Sequence, residues 1–419
     1  MSSTSKMPIS RHTRKREKTT DRCARCGACL SFCPVYQVQP IERYSPRGKN
    51  FLLRSASIKK RQRLIKQTVT ACLQCGACSR LCSSGTDVAD LIRRERNKDT
   101  YFRSFPHSLF DIWERIGQDR GVKAVSLLEK LSPLSKEFRS PISIASRPFL
   151  SNLNLYAKLF QDSVPKCRID DKAKKAKILL FCGCMQNYVF PDIAAKIAAL
   201  LDWEIEIPTD QVCCGLPAYS QGAISQARTF AKKNLNIFSK SDAEIILTGC
   251  ASCAHMIKNW PCLFENANPL YQYAIKTATR VMELSQFIDQ YQTEAIANED
   301  ITLAVQIPCH QRYGLDSARS LISATQKFLP PDIFPIDTLG CCGFGGTFSL
   351  LNPKLSKNIF EQNITVKIKS FTLKKIDMVL TTCSGCLFRL RYAFKALGKN
   401  EYEIPQACHL VDLIVKKGE

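Results

Sequence analysis

The chain has 419 residues, 45% of them hydrophobic, with 60 Lys and Arg against 37 Asp and Glu for a formal net charge of +23. That length allows two to four domains with a sizeable core, the apolar content excludes a largely disordered chain, and no window approaches the ~18 consecutive apolar residues of a membrane span. The 22 cysteines are about 5% of the chain, below the roughly 8–10% that marks a small disulfide scaffold. The first twenty residues carry no apolar signal segment, so a reducing, cytoplasmic setting is expected. Clustered cysteines there point to metal or redox chemistry.

Residues 1–19, with Arg14-Lys15-Arg16, read as a basic flexible arm. Two cysteine runs follow, Cys23-x2-Cys26-x2-Cys29-x3-Cys33-Pro34 and Cys72-x2-Cys75-x2-Cys78-x3-Cys82. Both have the spacing of the bacterial ferredoxin run. A short loop with cysteines every third residue wraps three corners of a [4Fe–4S] cube, and the fourth cysteine points away and serves the other cube. That assigns Cys23, Cys26, Cys29 and Cys82 to one cluster and Cys72, Cys75, Cys78 and Cys33 to the other. Structural zinc also takes paired cysteines, but it does not call for a third close one. Ser83 stands where the motif has proline, a position that shapes the exit turn and supplies no ligand. Phe51-Leu52-Leu53-Arg54 and the run Lys59-Lys60-Arg61-Gln62-Arg63-Leu64 read as helix, so residues 20–98 are expected to form a helical two-cluster ferredoxin domain. In residues 99–172, Leu109, Ile112, Trp113 and Ile116 share a helix face, and Pro133, Pro141, Pro148 and Pro165 break the stretch. This is expected to be a helical linker or docking segment.

The remainder is an internal repeat. Cys184, Cys213-Cys214-Gly215 and Cys250-x2-Cys253 recur as Cys309, Cys341-Cys342-Gly343 and Cys383-x2-Cys386, at offsets of 125, 128 and 133 residues. Lys177–Phe181 and Glu244–Thr248 in the first copy, and Leu303–Ile307 and Asp377–Thr381 in the second, read as buried parallel strands between helices. The cysteines then sit just beyond the carboxyl ends of strands, where open α/β sheets place their ligand sites. An adjacent Cys-Cys pair suits a multi-iron cluster better than its own strained disulfide. Gly215 and Gly343 are expected to let the backbone approach the metal. Zinc, or a redox-active CxxC pair with nothing bound, are the competing readings.

This arrangement resembles the iron–sulfur subunits of glycolate and D-lactate oxidases, with modules also found in heterodisulfide reductases and in the anaerobic glycerol-3-phosphate dehydrogenase iron–sulfur subunit. Gly183-Cys184-Met185-Gln186 and Cys341-Cys342-Gly343-Phe344-Gly345-Gly346-Thr347-Phe348 carry the likeness. It implies an α+β multidomain protein, in which a helical two-cluster ferredoxin domain precedes two duplicated α/β cysteine-rich (CCG) domains at residues 173–295 and 296–419. It also implies that Cys184, Cys213, Cys214, Cys250 and Cys253, and likewise Cys309, Cys341, Cys342, Cys383 and Cys386, each hold a further [4Fe–4S]-type cluster, non-cubane in heterodisulfide reductases, with zinc in some members. Eighteen cysteines are thereby used. Cys167, Cys182, Cys262 and Cys408 are left over, and Cys182 is expected to lie nearest a metal.

No Gly-rich dinucleotide loop follows a strand, and no flavin site is recognisable. A separate flavoprotein subunit is therefore expected to take the electron pair from a small 2-hydroxy acid, by resemblance glycolate or D-lactate, and to pass electrons singly into this chain. The acceptor would be a quinone or a membrane-bound carrier, and the location the cytoplasm, peripherally on the inner face of the membrane. The alternative is direct disulfide reduction at a CCG-domain cluster. Nucleic-acid binding is not expected, since the basic patches come with no recognition motif. His310, beside Cys309, is a candidate donor near a cluster, and His255 a weaker one. Four occupied sites would subtract roughly 10 from the formal charge and leave about +13.

Overall fold

The computed structural model describes residues 23–55, 62–98, 110–111, 150–153, 177–200, 205–291, 301–329, 336–370, 376–397 and 405–414. The basic arm, Lys59-Lys60-Arg61, Cys167 and the expected helix face at Leu109, Ile112, Trp113 and Ile116 lie outside them. Phe110 and Asp111, inside that stretch, are helical.

The N-terminal cysteine region is helical, as expected, with Pro34–Val38, Pro46–Arg54, Gln62–Thr70, Ala77–Arg80 and Val88–Lys98 linked by tight loops. Helix Pro46–Arg54 starts where proline pre-sets the first turn, and the Ser45 hydroxyl accepts the Gly48 N–H at 2.9 Å.

Two four-stranded parallel sheets follow. The first comprises β1 (Ile178–Leu180), β2 (Ile205–Glu206), β3 (Ile245–Thr248) and β4 (Val281–Glu283), in the order β2-β1-β3-β4. The second repeats it with β5 (Leu303–Gln306), β6 (Ile336–Leu339), β7 (Met378–Thr381) and β8 (Gln406–His409), in the order β6-β5-β7-β8. The central strands are buried along their length, which is why they read as continuous aliphatic runs. Register is direct, with Ile178 beside Ile245 and Leu303 beside Met378. The edge strands β2, β4, β6 and β8 carry little or no such run and add to the four strands legible in the sequence.

The two sheets share one apolar core. Ile178, Leu180, Ile193 and Ile197 of the first unit pack in the same cluster as Val305, Leu321, Leu387 and Leu410 of the second. Alternation along β1 sends Ile178, Leu180 and Cys182 into that core, and Leu179 and Phe181 toward the cysteine side. Cys182 therefore does not approach the thiol sets as expected. It is fully buried among aliphatic groups, and burial alone pushes its thiol far up. Cys408 is buried likewise, its sulfur 3.8 Å from the Val379 carbonyl.

A largely buried ion pair ties the units together, with Lys196 of helix Pro191–Leu200 reaching Asp412 of helix Leu410–Ile414 at 2.5 Å. Burial alone would raise the Asp412 carboxyl, but Lys196 outweighs it and holds the group below its ordinary value. Lys196→Met leaves that carboxylate only the longer contact to Arg391 at 3.7 Å and the His409 N–H at 2.9 Å, and the expected cost is about 2 kcal/mol at pH 7, read as a lower thermal midpoint. A depressed folded pKa gives stability above the unfolded value that is lost as pH falls through the folded one. The gap between variant and parent should therefore narrow from pH 7 toward pH ~3; a gap constant over that range would contradict the pairing.

Candidate functional site

Each run of the helical region folds its loop the same way. Arg25 and Gln74, directly before the second cysteine of each run, take left-handed φ values of 54° and 60°, and Gly27 and Gly76, directly after it, take 81° and 76°. Two left-handed residues in four curl the loop so that successive cysteines face inward; a non-glycine in that region carries a strain that a bound group can repay.

Cys33, Cys72, Cys75 and Cys78 line one cavity of about 30 Å³, the four residues that the crossed spacing assigned together. Lys49 and Arg96 are buried beside them. Lys49 Nζ donates to the Ala71 carbonyl at 2.7 Å, and Arg96 donates to the Val69 and Cys72 carbonyls at 2.7 and 2.9 Å. Burial raises Cys75 to about 12 and Cys78 well up, yet Lys49 and Arg96 overcome burial at Cys72 and hold it below its ordinary value. In the other set, Cys29 lies within the field of Cys23, with the Arg47 backbone N–H on its sulfur. The grouping of Cys82 with Cys23, Cys26 and Cys29 rests on spacing alone.

In the paired sheets, all ten cysteines of the repeat lie beyond the carboxyl ends of strands. Cys250 and Cys383 directly precede helices Ala251–Lys258 and Ser384–Leu397, which carry Cys253 and Cys386. Cys184 interacts with Cys213, Cys214 and Cys250, and Cys253 with Cys214 and Cys250, so the first set of five converges. The second converges through Cys309 with Cys341, Cys342 and Cys383, and Cys342 Sγ lies 3.2 Å from Cys386 Sγ. Among the described residues no three ligands close around a single-ion position. Crowding sets the titration. Hydrogen bonds that Cys184 and Cys253 donate to Cys213 and Cys214 respectively, together with burial, push both well up, whereas Cys383 is held well down by the bonds it accepts from Cys250 and Cys386.

The donor sets fit a sulfur-rich iron cluster. Each gathers five thiols, buried or half-buried and unlinked by disulfides, and a Cβ at Gly183 would stand 3.1 Å from Cys253 Sγ, so the loop leaves room beside the sulfurs. Gly215 and Gly343 also serve the packing of the loops. At left-handed φ of 87° and 72°, they let the loop pass close to helices Ile224–Phe238 and Pro353–Phe360, where an added Cβ would meet the Ala227 carbonyl at 3.2 Å and the Ser356 carbonyl at 2.6 Å.

The sets also adjoin one another. Cys309 and Cys341 both lie within the field of Cys75, Cys341 also of Cys33, and Leu73, Phe348 and Ile359 pack around Cys33, Cys75 and Cys341. On the far side, Cys383 meets Cys250 of the first unit. The order is helical region, second unit, first unit.

Comparison with known proteins accords with this geometry. Residues 19–86 match the 4Fe-4S dicluster domain, and residues 178–258 and 303–391 each match the CCG cysteine-rich domain. Lactate utilization protein A of Bacillus cytotoxicus is 31% identical over 230 residues, an alignment that takes in 93% of that protein and 53% of this chain. The protein of the same name from Bacillus cereus is 30% identical over the same shares, and that from Oceanobacillus iheyensis 27% over 92% of its length and 54% of this chain. The chain belongs to the lactate utilization protein A family.

For this family member, sequence reading missed the residues that join the sets. Ser252 Oγ lies 3.1 Å from Cys383 Sγ and 2.8 Å from His310 Nδ1. His310 stacks on His255 at 4.8 Å between ring centroids and 8° between planes, which places both flagged histidines between the units. Buried Glu283, pushed up to about 8 by burial, accepts from Gln311 Nε2 at 3.3 Å across the unit boundary. Gln311 in turn accepts from Thr382 Oγ1 at 2.7 Å. Arg389 draws Cys342 down, after its bond with Cys386. None of these lies in a spaced motif, although Ser252 sits inside Cys250-x2-Cys253 and was open to inspection.

A double variant tests the crossed grouping. If Cys33 and Cys75 serve one cluster, Cys33→Ser with Cys75→Ser should cost one cluster's iron, about four atoms, as either single variant does. Loss of two clusters' iron would show that each run holds its own.

Proposed function

We propose that this chain is the iron–sulfur electron-transfer subunit of a complex that oxidises lactate or a close 2-hydroxy acid. Supporting this is the contiguity of the four thiol sets, from Cys29 to Cys33, from Cys33 and Cys75 to Cys309 and Cys341, and from Cys383 to Cys250. The names of the relatives, lactate utilization protein A, supply the substrate class. The ligands are the eight ferredoxin-type cysteines and the ten of the repeat, in the groupings above, for four [4Fe–4S]-type clusters. Once bound, such clusters take up and release single electrons.

The chain's own residues hold these sets in order and offset their charge. Lys49 and Arg96 sit against Cys72, and Arg389 against Cys342. Oxidation of a 2-hydroxy acid to the 2-oxo acid releases two electrons and two protons. A flavoprotein subunit takes the pair and returns it in two single steps, and a quinone at the membrane surface accepts both electrons with two protons. Among the described residues no helix is long and apolar enough to cross a membrane, so the membrane contact would be peripheral.

Anaerobic reconstitution should load about 16 iron atoms per chain. Lactate should then bleach the iron–sulfur absorbance only when a flavin-containing lactate dehydrogenase is added. Bleaching by lactate without a flavoprotein, or none with one, would contradict the assignment.

A further inference from the structure

The two cysteine-rich units are copies, yet the hydroxyl contact between their Cys-x2-Cys loops runs one way. In the first unit the Cys-x2-Cys loop reads Cys250-Ala251-Ser252-Cys253; in the second it reads Cys383-Ser384-Gly385-Cys386. Ser252 thus corresponds to Gly385. Ser252 projects out of its own unit and places its hydroxyl 3.1 Å from Cys383 Sγ. The corresponding position can offer Cys250 no hydroxyl. Nor is there space for one, since a Cβ at Gly385 would stand 3.1 Å from the Phe344 ring.

Backbone holds the contact in place. The Ala251 N–H donates to the Thr382 carbonyl at 3.1 Å, which fixes the residue before Ser252 to the residue before Cys383. On the oxygen's other side His310 Nδ1 lies at 2.8 Å. An iron-bound cysteine is a thiolate, a stronger acceptor than a neutral ring nitrogen. With the proton of the neutral imidazole on Nδ1, the single hydroxyl proton turns to sulfur and the oxygen lone pair faces the ring N–H.

We propose that Ser252 of the first unit sets the reduction potential of the centre held by the second unit, raising it above that of its duplicate through a hydrogen bond to the Cys383 thiolate. This rests on cluster occupancy at the repeat cysteines. Hydrogen bonds to ligand sulfurs and net charge are among the levers that set cluster potentials. A donor on sulfur stabilises the reduced, more negative state more than the oxidised one, so the potential rises. Cys250 lacks this donor and lies instead within reach of the Cys383 sulfur. The second unit's centre, which also adjoins the ferredoxin-type thiols, is therefore the easier of the two to reduce. Ser252 is a positioning and tuning residue; it need not touch substrate.

Potentiometric EPR of the reconstituted full chain tests this. The second unit's centre is first identified as the signal lost in Cys383→Ser. Ser252→Ala should make that centre about tenfold harder to reduce, about 59 mV lower for one electron, and leave the other three centres unmoved. Ser252→Thr, which keeps the hydroxyl, should restore the parental value. Iron content and thermal midpoint, unchanged in Ser252→Ala, separate tuning from loss of structure. An unmoved potential in Ser252→Ala, or an equal shift of every centre, would overturn the proposal while leaving the cluster assignment standing. No loss of iron or signal in Cys383→Ser would overturn the assignment itself and the proposal with it.

Discussion

Buried sulfur is the constraint from which the rest follows. Two parallel sheets direct ten cysteines to the carboxyl ends of their strands, and the helical region adds a further set against them. Thiols so crowded repel one another's ionised forms, and burial penalises ionisation further. The molecule answers with fixed positive charge and donors. Lys49 and Arg96 sit behind Cys72, Arg389 near Cys342, Ser252 on Cys383, and the backbone N–H of Arg47 on Cys29. Part of the chain's +23 is thereby spent inside the fold rather than on its surface.

Duplication makes this arrangement economical in sequence and unequal in effect. Both copies keep five cysteines, and both use a left-handed glycine after the Cys-Cys pair to pass the second helix beyond it. They differ where they touch. Glu283 and His409 close corresponding edge strands, one accepting from Gln311, the other meeting the Gly249 carbonyl at 2.7 Å through Nε2. Each unit thus reaches into the other's cysteine loops, but with different chemistry. Two copies that began alike have become distinct sites whose properties each depend on the other.

Much of this was legible in the sequence. The spacing of Cys23–Cys33 and Cys72–Cys82, the repeat offsets and the aliphatic runs of the central strands are local signals, and the structure realises the strands and helices they predict. What escaped is long-range. Ser252 lies 131 residues from Cys383, and nothing local distinguishes it from any loop serine. Lys49 and Arg96 look like surface charges of amphipathic helices until packing closes over them. Cys182 is the instructive error. Its nearness to Cys184 in sequence suggested nearness to the metal, but the period-two alternation of β1 sends it to the opposite face, and that could have been counted along Ile178, Leu180 and Cys182. At Gly215 and Gly343 the structure adds a long-range reason, the close approach of a helix, that the sequence did not show.

The central claim is that the second unit's thiol set is the junction, adjoining both the Cys33–Cys75 set and the first unit. Spin–spin interaction reads adjacency directly. In a stepwise reduction of the reconstituted chain followed by EPR, reducing the second unit's centre should broaden the signals of both the Cys33–Cys75 centre and the first unit's centre. Signals from those two that stay narrow and independent of the second unit's redox state would contradict the array.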